Sequence, residues 1–399
     1  MAKLSVKKRL LFIAILIVVP YLVVEAAVTT YGWFAWWDHS FAITEDTGKT
    51  IEFDPIRGYW LKTTPARTAR ITDGGVEYVG AYRGNSEGFP NRDDFGPRRE
   101  GTYKRRFAVF GDSFTHAPYL GQNWPERAED LTLEQGEPVQ FLNFALSYTG
   151  LANWWSILTK IVKAENYDVD GVIFVVWETN LLRGFTIQTA KKPYRPYDKL
   201  LFGRCYSWDP KDFPKTEDEA LHLLEEDKMQ YLLPPEDFEQ TLQGHWPPSV
   251  PRHFRPVIFT RVFRALRSAL KPSAEEKTAE TPGDFEPGRK KLIGEMREFL
   301  DSKKLPALVI HLPSRDTLLR PTKDSALHFE KAQAFARALG AEFLDGRQVF
   351  EHMSPAEIRA HFLPHDGHWN QKGSNRFAEF VVANLDRLKS PRPQVTASR

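Results

Sequence analysis

The stretch Arg106-Phe-Ala-Val-Phe-Gly-Asp-Ser-Phe-Thr115 joins a short apolar run to a tight polar turn. The run lacks a two-residue alternation of apolar and polar side chains, which is typical of a β-strand buried on both faces. Gly111 permits a sharp turn of the backbone. The pattern therefore predicts that Ser113 stands at the carboxyl end of a strand, where the next helix begins and its dipole favours negative charge.

Further segments of the same two kinds follow along the chain. Apolar runs that predict buried strands occupy residues 139–144, 171–177, 307–312 and 341–344. Helical patterns lie between or after them, at residues 124–133, 151–164, 289–303, 327–339 and 371–388. This alternation predicts an α/β fold, a three-layer α/β/α sandwich around a parallel sheet of about five strands. Ligands bind such sheets beyond the carboxyl ends of the strands.

Changes in sequence character along the rest of the chain divide it into segments. A hairpin is predicted around Asp73-Gly74-Gly75, and a basic amphipathic helix at residues 254–271. The predicted organisation is a cytoplasmic N-terminus at 1–9, a transmembrane anchor at 10–28, a β-rich segment at 29–105, an α/β domain at 106–390 with an insertion at about 181–286, and a loose tail at 391–399.

The N-terminus indicates the compartment. The cations Lys3, Lys7, Lys8 and Arg9 precede the mostly apolar residues 10–28, close to the roughly 20 residues that a bilayer requires. Cations before an apolar span favour a cytoplasmic N-terminus. We expect an uncleaved single-pass anchor. The alternatives are a cleaved signal peptide, for which Glu25-Ala-Ala is a poor cleavage site, and a buried helix. The first two place the body on the extracytoplasmic, for example periplasmic, side.

Composition excludes several classes of protein. The chain has 399 residues with 54 Lys and Arg against 52 Asp and Glu. This near-balance provides no electrostatic case for a nucleic-acid partner. The single cysteine, Cys205, rules out an intrachain disulfide and Cys-rich metal ribbons.

Polar residues capable of nucleophilic catalysis follow several of the predicted strands. A serine is a poor nucleophile until a base takes its proton. His368 follows the last strand, and Asp366 can accept a hydrogen bond from its imidazole. Asn180 follows the third strand, where its amide could donate to an oxyanion, and the loop after Asn143 could supply a backbone N–H.

These motifs resemble the SGNH, or GDSL-type, hydrolase superfamily over residues 107–180 and 305–388. The resemblance implies a flavodoxin-like fold with Ser113 as nucleophile and oxyanion N–H donor, and Asn180 as oxyanion side-chain donor. It implies His368 as general base and Asp366 as its orienting carboxylate. At the second motif, where the family usually has a glycine that donates to the oxyanion, the alignment places Tyr148.

The sequence departs from the family's usual motifs at two other positions. Glu178 stands where the third motif usually has glycine, and the closing motif is Asp-x-His rather than Asp-x-x-His. The shorter spacing is similar to membrane-anchored extracytoplasmic polysaccharide O-acetyltransferases and esterases. The resemblance implies a serine esterase or O-acyltransferase acting on O-acyl esters, in particular O-acetyl esters, of a cell-surface glycan or on a small ester. No metal or organic cofactor is expected.

Two alternatives remain open. One is a non-catalytic glycan-binding or assembly protein on the same fold. The other is a metal-dependent hydrolase around His361, His365 and His368 with Asp366. Two groups of side chains also bear on the substrate: cations that could face the cleft and suit an anion, and rings that could stack on a sugar, namely Arg315, Arg320, Trp124, Trp177 and Trp369.

Overall fold

The computed structural model describes residues 6–35, 41–48, 50–72, 74–191, 199–244 and 285–388. The chain divides into two compact units, Met1–His39 with Pro248–Glu280 and Ser40–Pro247 with Thr281–Arg399. The described part of the first unit is the helix α1 (Val6–Ala35). The predicted basic helix at residues 254–271 and the predicted tail at 391–399 lie outside the described residues.

Helix α1 contains a predominantly apolar stretch of 19 residues, Phe12–Thr30, in which Glu25 is the one charged residue. At a rise of about 1.5 Å per residue this stretch spans roughly 28 Å, close to the thickness of a bilayer core. Its apolar side chains from Phe12 to Val24 are exposed. The predicted N-terminal apolar helix is confirmed, and its length and composition are sufficient for a membrane span.

The second unit contains the strands and the remaining helices. Its described strands are β1 (Phe41–Glu45), β2 (Ile51–Asp54), β3 (Gly58–Leu61), β4 (Ala66–Thr72), β5 (Gly75–Tyr82), β6 (Arg105–Phe110), β7 (Val139–Asn143), β8 (Gly171–Trp177), β9 (Thr186–Lys191), β10 (Lys199–Arg204), β11 (Leu224–Leu233), β12 (Ala307–Leu312) and β13 (Glu342–Asp345). Its described α-helices are α2 (Ser113–His116), α3 (Trp124–Glu134), α4 (Leu151–Ile157), α5 (Glu217–Leu221), α6 (Pro235–Leu242), α7 (Pro287–Ser302), α8 (Arg315–Leu319), α9 (Lys323–Leu339), α10 (Pro355–Arg359) and α11 (Gln371–Ala383).

A parallel sheet of five strands forms the centre of this unit, in the order β13-β12-β8-β6-β7. Every neighbouring pair in it is parallel. Counted along the chain, this is the 2-1-3-4-5 order of flavodoxin-like doubly wound sheets. The predicted fold class is therefore confirmed. The order reverses direction between β6 and β8, so the binding crevice of such a sheet is expected beyond these two strand ends.

Hydrophobic layers cover both faces of this sheet. Ala108 and Phe110 of β6 belong to the cluster that includes side chains of α4, α7 and α9. Phe107 and Val109 of the same strand belong to the cluster that includes side chains of α3 and α11. Alternate residues thus bury themselves on opposite sides, which explains why the sequence of β6 is apolar without alternation.

A second sheet joins two segments that are distant in sequence. Its order is β5-β4-β1-β11-β10-β9, and β1 pairs in parallel with β11. The predicted β-rich segment supplies β1, β4 and β5, and the predicted insertion supplies β9, β10 and β11. The predicted hairpin is confirmed, because β4 and β5 pair antiparallel up to Thr72 and Gly75.

Candidate active site

Ser113 occupies the turn between the end of β6 and the start of α2. The Asp112 side chain caps this short helix by accepting a hydrogen bond from the Phe114 N–H at 3.2 Å. A Cβ on Gly111 would collide with the side chain of Thr115, so the turn requires glycine at this position. Ser113 lines a cleft with a volume of about 320 Å³, at the small end of the range for small-molecule sites.

The side chains of Ser113, His368 and Asp366 form a continuous chain of hydrogen bonds. The Ser113 Oγ lies 2.7 Å from the His368 Nε2. The His368 Nδ1 contacts the Asp366 Oδ1 on the opposite side of the ring. Because Nδ1 donates to a carboxylate, the neutral ring leaves Nε2 free to accept the serine proton. The three residues proposed as a catalytic triad therefore meet in the geometry that base-assisted nucleophilic attack needs.

A cation that the sequence reasoning missed supports Asp366. The Arg70 guanidinium, on β4 of the second sheet, donates to the Asp366 Oδ2 at 3.2 Å. Burial raises the pKa of Asp366, but the hydrogen bond and charge of His368, together with the charge of Arg70, outweigh this, so the pKa lies below its ordinary value. The carboxylate is thus kept ionised to orient His368.

A tight turn carries the base. Gly367 adopts φ = +82°, the left-handed region that favours glycine, and this turn brings Asp366 alongside the His368 ring. The Arg315 guanidinium supports the same loop by donating to the carbonyls of Leu363 at 2.9 Å and Pro364 at 2.7 Å. Arg315 lines the cleft, but these contacts show a structural use for its charge.

Ser113 and Tyr148, the residues predicted to donate backbone N–H groups to an oxyanion, both line the cleft. Within the described part of the chain, the N–H groups of Ser113 and Tyr148 donate to no protein acceptor. Tyr148 adopts φ = +68°, a left-handed backbone that is strained for a bulky residue and easy for glycine. The family's usual glycine at this position is therefore explained by the backbone conformation.

Contacts from three sides hold Tyr148 in this strained conformation. Its ring stacks on Phe202 of β10, with ring centroids 4.5 Å apart and planes inclined by 4°. Its carbonyl accepts a hydrogen bond from the Thr186 Oγ1 at 3.1 Å. The Thr149 Oγ1 donates to the Gly111 carbonyl at 3.0 Å, which ties this loop to the nucleophile turn. Strain of this kind commonly persists where a functional site needs a fixed backbone.

Asn180 is placed differently from the expectation. Its side chain is fully buried. Its amide nitrogen donates to the Asp112 Oδ2 at 2.9 Å and to the Thr149 carbonyl at 3.2 Å, and its oxygen accepts from the Trp177 N–H. Because both amide hydrogens are engaged, the predicted direct donation to an oxyanion is corrected to a positioning role. Asn180 holds the loops on either side of the nucleophile.

Arg183 completes this support, and the sequence reasoning did not identify it. Its guanidinium donates to the Asp112 Oδ2 at 3.2 Å and to the Thr149 carbonyl at 3.1 Å. Burial lowers the pKa of Arg183, although the charge of Asp112 acts in the opposite direction. The sequence signal that could have identified Arg183 is its position three residues after Asn180, in the same loop.

Other candidate side chains separate into those at the cleft and those away from it. Trp177 lines the cleft, whereas Trp124 and Trp369 are fully buried. Arg320 is exposed and is not among the residues that line the cleft. Glu178 accepts hydrogen bonds from the Ser314 N–H and the Thr317 hydroxyl. These contacts direct the Glu178 carboxylate towards α8.

The histidines near the closing motif make separate contacts. The buried His361 places its Nδ1 2.7 Å from the Glu357 carbonyl. The His365 N–H donates to the Glu77 carboxylate at 2.6 Å. Among the described residues, no group of three or more His, Cys, Asp and Glu side chains is arranged to hold a metal ion.

His116 connects the nucleophile helix to the Tyr148 loop. Its Nδ1 accepts hydrogen bonds from the Ser147 N–H at 3.2 Å and the Ser147 hydroxyl at 3.0 Å. Complete burial lowers the pKa of His116 to about 3, so the ring is neutral and its Nδ1 is available as an acceptor.

We expect His116→Asn to reduce the acid sensitivity of folding. The unfolded pKa of histidine is about 6.5, so between pH 6.5 and 3 the unfolded chain binds more protons at this residue. Stability therefore falls as the pH falls through this window, by up to about 1.4 kcal/mol per pH unit from His116. Denaturant unfolding of the full-length protein at pH 7, 5.5 and 4 measures the effect. Equal pH slopes in wild type and variant would contradict the prediction.

The sheet order agrees with the flavodoxin-like fold that the predicted resemblance to the SGNH hydrolases implies. No family model and no curated protein matches this sequence. Similar solved structures include a lipase/acylhydrolase from Enterococcus faecalis, with 13% identity, a TM-score of 0.37 and coverage of 72% of this chain and 99% of that one.

Two further similar structures are esterases. The acetylxylan esterase of Geobacillus stearothermophilus has 10% identity and a TM-score of 0.35, over 72% of this chain and 95% of that one. The psychrotrophic esterase of a Pseudoalteromonas species has 8% identity and a TM-score of 0.35, over 70% of this chain and 97% of that one.

Proposed function

We propose that this protein is a serine-dependent esterase that acts through an acyl-enzyme on Ser113. The observation that carries the proposal is the 2.7 Å contact between the Ser113 Oγ and the His368 Nε2, with Asp366 on the other ring nitrogen. This arrangement supplies a nucleophile, a base and a group that orients the base. It lies at the edge of the sheet where ligands bind in this fold.

The proposed reaction has two half-reactions. The Ser113 Oγ attacks the ester carbonyl as His368 takes its proton, and the oxyanion accepts hydrogen bonds from the N–H groups of Ser113 and Tyr148. Collapse of this intermediate expels the alcohol, which takes the proton from His368. Water then attacks the acyl-enzyme with His368 again as base, releasing the acid and restoring Ser113.

We propose O-acetyl groups on a cell-surface glycan as the substrate class. The aromatic wall of Tyr148 and Phe202 and the indole of Trp177, all lining the cleft, are suited to contact the apolar face of a sugar. Transfer of the acetyl group to a sugar hydroxyl would use the same acyl-enzyme with a different acceptor. With a glycan acceptor present, the ratio of acetylated glycan to free acetate measures the partition between transfer and hydrolysis.

A covalent probe tests the function directly. The full-length protein in detergent is incubated with a fluorophosphonate, and mass spectrometry locates the adduct while p-nitrophenyl acetate turnover is followed. We expect the adduct on Ser113 with loss of turnover. An unlabelled, inactive protein with a cooperative unfolding transition would favour the alternative of a non-catalytic glycan-binding protein.

We also propose that α1 anchors the chain in a membrane, with the residues after it on the extracytoplasmic side. The 19-residue apolar stretch and the cations Lys3, Lys7, Lys8 and Arg9 before it support this topology.

In a bacterial host we expect the full-length protein to remain in membranes after an alkaline wash. Protease added to spheroplasts should degrade the chain after α1, because the residues beyond the span face outwards. A soluble protein lacking residues 1–28 would instead show that the helix is a cleaved signal. A membrane-bound protein protected from protease would contradict the orientation.

A further inference from the structure

Arg204 provides a cation in the catalytic cleft that the catalytic arrangement does not use. It ends β10, two residues after Phe202, and alternate residues of a strand face the same side. Both side chains accordingly line the cleft together with Ser113 and His368. Phe202 stacks on Tyr148, whose N–H is one of the two proposed oxyanion donors. Arg204 thus lines the same cleft as the catalytic residues, two residues along the strand from the ring that stacks on Tyr148.

The other cleft arginines have anionic or carbonyl partners within the protein. Arg183 pairs with Asp112 at 3.2 Å. Arg315 lies 3.5 Å from the carboxylate of Asp316 and donates to two loop carbonyls. The charges of these two guanidinium groups are therefore already compensated by the fold.

Arg204 differs from both. Within the described ranges, its guanidinium forms no ion pair and donates to no oxygen, and its Nε is buried without an acceptor. The Tyr206 ring, 5.8 Å from the guanidinium carbon, provides a face but no lone-pair acceptor in that contact. A buried donor without an acceptor is uncommon in folded proteins and calls for a partner.

The remaining charged groups of the cleft do not meet this need. The Asp366 carboxylate is occupied by His368 and Arg70, and the exposed Asp316 lies beside Arg315. A substrate oxyanion would give Arg204 the planar, two-pronged partner that a guanidinium binds best.

We propose that Arg204 selects esters whose alcohol portion carries an anionic group, a carboxylate or a phosphate on an acylated sugar. This inference rests on the proposed function and specifies its substrate class. The acyl group would meet Ser113, the sugar ring would lie along Tyr148 and Phe202, and the anion would reach Arg204. A cleft of about 320 Å³ is compatible with a single acylated ring.

Three methyl glycosides acetylated at the same hydroxyl test the inference: glucuronate, glucose 6-phosphate and glucose. Acetate release by the full-length protein yields kcat/KM for each. We expect a higher kcat/KM for at least one anionic ester than for the neutral one, and the better of the two identifies the anion as carboxylate or phosphate.

The Arg204→Gln variant should lose about 10- to 100-fold more kcat/KM on the preferred anionic ester than on the neutral ester, mainly through KM. Arg204→Lys should have a preference for the anionic ester between those of wild type and Arg204→Gln, because lysine keeps the charge but lacks the planar guanidinium. Arg320→Gln, which removes an exposed cation away from the cleft, is the matched control and should preserve the preference.

The outcomes separate the two proposals. An unchanged anionic-to-neutral ratio in Arg204→Gln, or no preference in the wild type, overturns the role of Arg204 while Ser113 labelling still supports the esterase. Turnover of p-nitrophenyl acetate without acetate release from any of the three sugars overturns the substrate class. Absence of both labelling and turnover overturns the proposed function and this inference with it.

Discussion

Replacing Ser113 by alanine is expected to lower kcat/KM for p-nitrophenyl acetate by about 10⁴- to 10⁶-fold, towards the spontaneous rate of the ester. The variant lacks the oxygen that forms the acyl-enzyme, and His368 then has no hydroxyl to activate. The N–H groups of Ser113 and Tyr148 remain and can still polarise a bound carbonyl, so a small residual rate above water is expected.

Initial rates and fluorophosphonate labelling of the full-length protein measure this effect. Ser302→Ala is the matched control, because Ser302 is exposed at the carboxyl end of α7, where its hydroxyl donates to the Phe299 carbonyl. The control should remain within about twofold of wild type, as expected for a surface substitution. A Ser113→Ala variant that keeps more than a tenth of wild-type turnover would contradict an acyl-enzyme at this serine.

Replacing Asp366 by asparagine is expected to lower kcat/KM by about 10³- to 10⁴-fold. A neutral amide no longer enforces a proton on the His368 Nδ1, so the ring can present an N–H rather than a lone pair to Ser113. The amide also cannot stabilise the imidazolium that forms as the serine proton is transferred. Arg70, which donates to Asp366 at 3.2 Å, is left without its anionic partner in this contact.

The same assay checks this prediction, together with two further variants. Arg70→Gln should lower kcat/KM by about tenfold, because Arg70 acts through the Asp366 carboxylate and not on the substrate. Asp218→Asn is the matched control, because Asp218 is exposed on α5 and is not among the residues that line the cleft. Loss of less than tenfold in Asp366→Asn would show that His368 does not depend on this carboxylate for its orientation.

The central sheet was largely predictable because its strands are buried on both faces. The runs at β6, β7, β8 and β12 are mostly apolar and almost fully buried, whereas in β13, at the edge of the sheet, only Leu344 is buried. Each of the five strands lies within about one residue of its predicted position. The predicted ends of the helices were less accurate than those of the strands. The helix expected at 371–388 ends at Ala383 and continues as a short 3-10 turn, and the one expected at 151–164 closes with a turn of π-helix at Leu158–Val162.

The second sheet escaped sequence reasoning for a physical reason. β1 pairs with β11 across nearly 190 residues, as the Ile43–Tyr231 register shows. A register between segments so distant in sequence leaves no local periodicity, and the prolines and charges around β9 to β11 obscured their strand character. Arg70 on β4 reaches Asp366 for the same reason, through tertiary packing and not through spacing.

The sequence by itself determined the chemistry that the chain can present. Ser113 directly follows the buried strand β6, whereas Asp366 and His368 lie between β13, the last strand of the same parallel sheet, and the last helix. The carboxyl ends of parallel strands meet at one edge of the sheet. Only the tertiary structure decided how the surrounding groups are used. The Asn180 amide and the Arg183 guanidinium both donate to Asp112, and Arg204 remains in the cleft with no acceptor among the residues that the structure describes. Hydrogen-bond partners depend on distances of about 3 Å between residues remote in sequence, which packing alone sets.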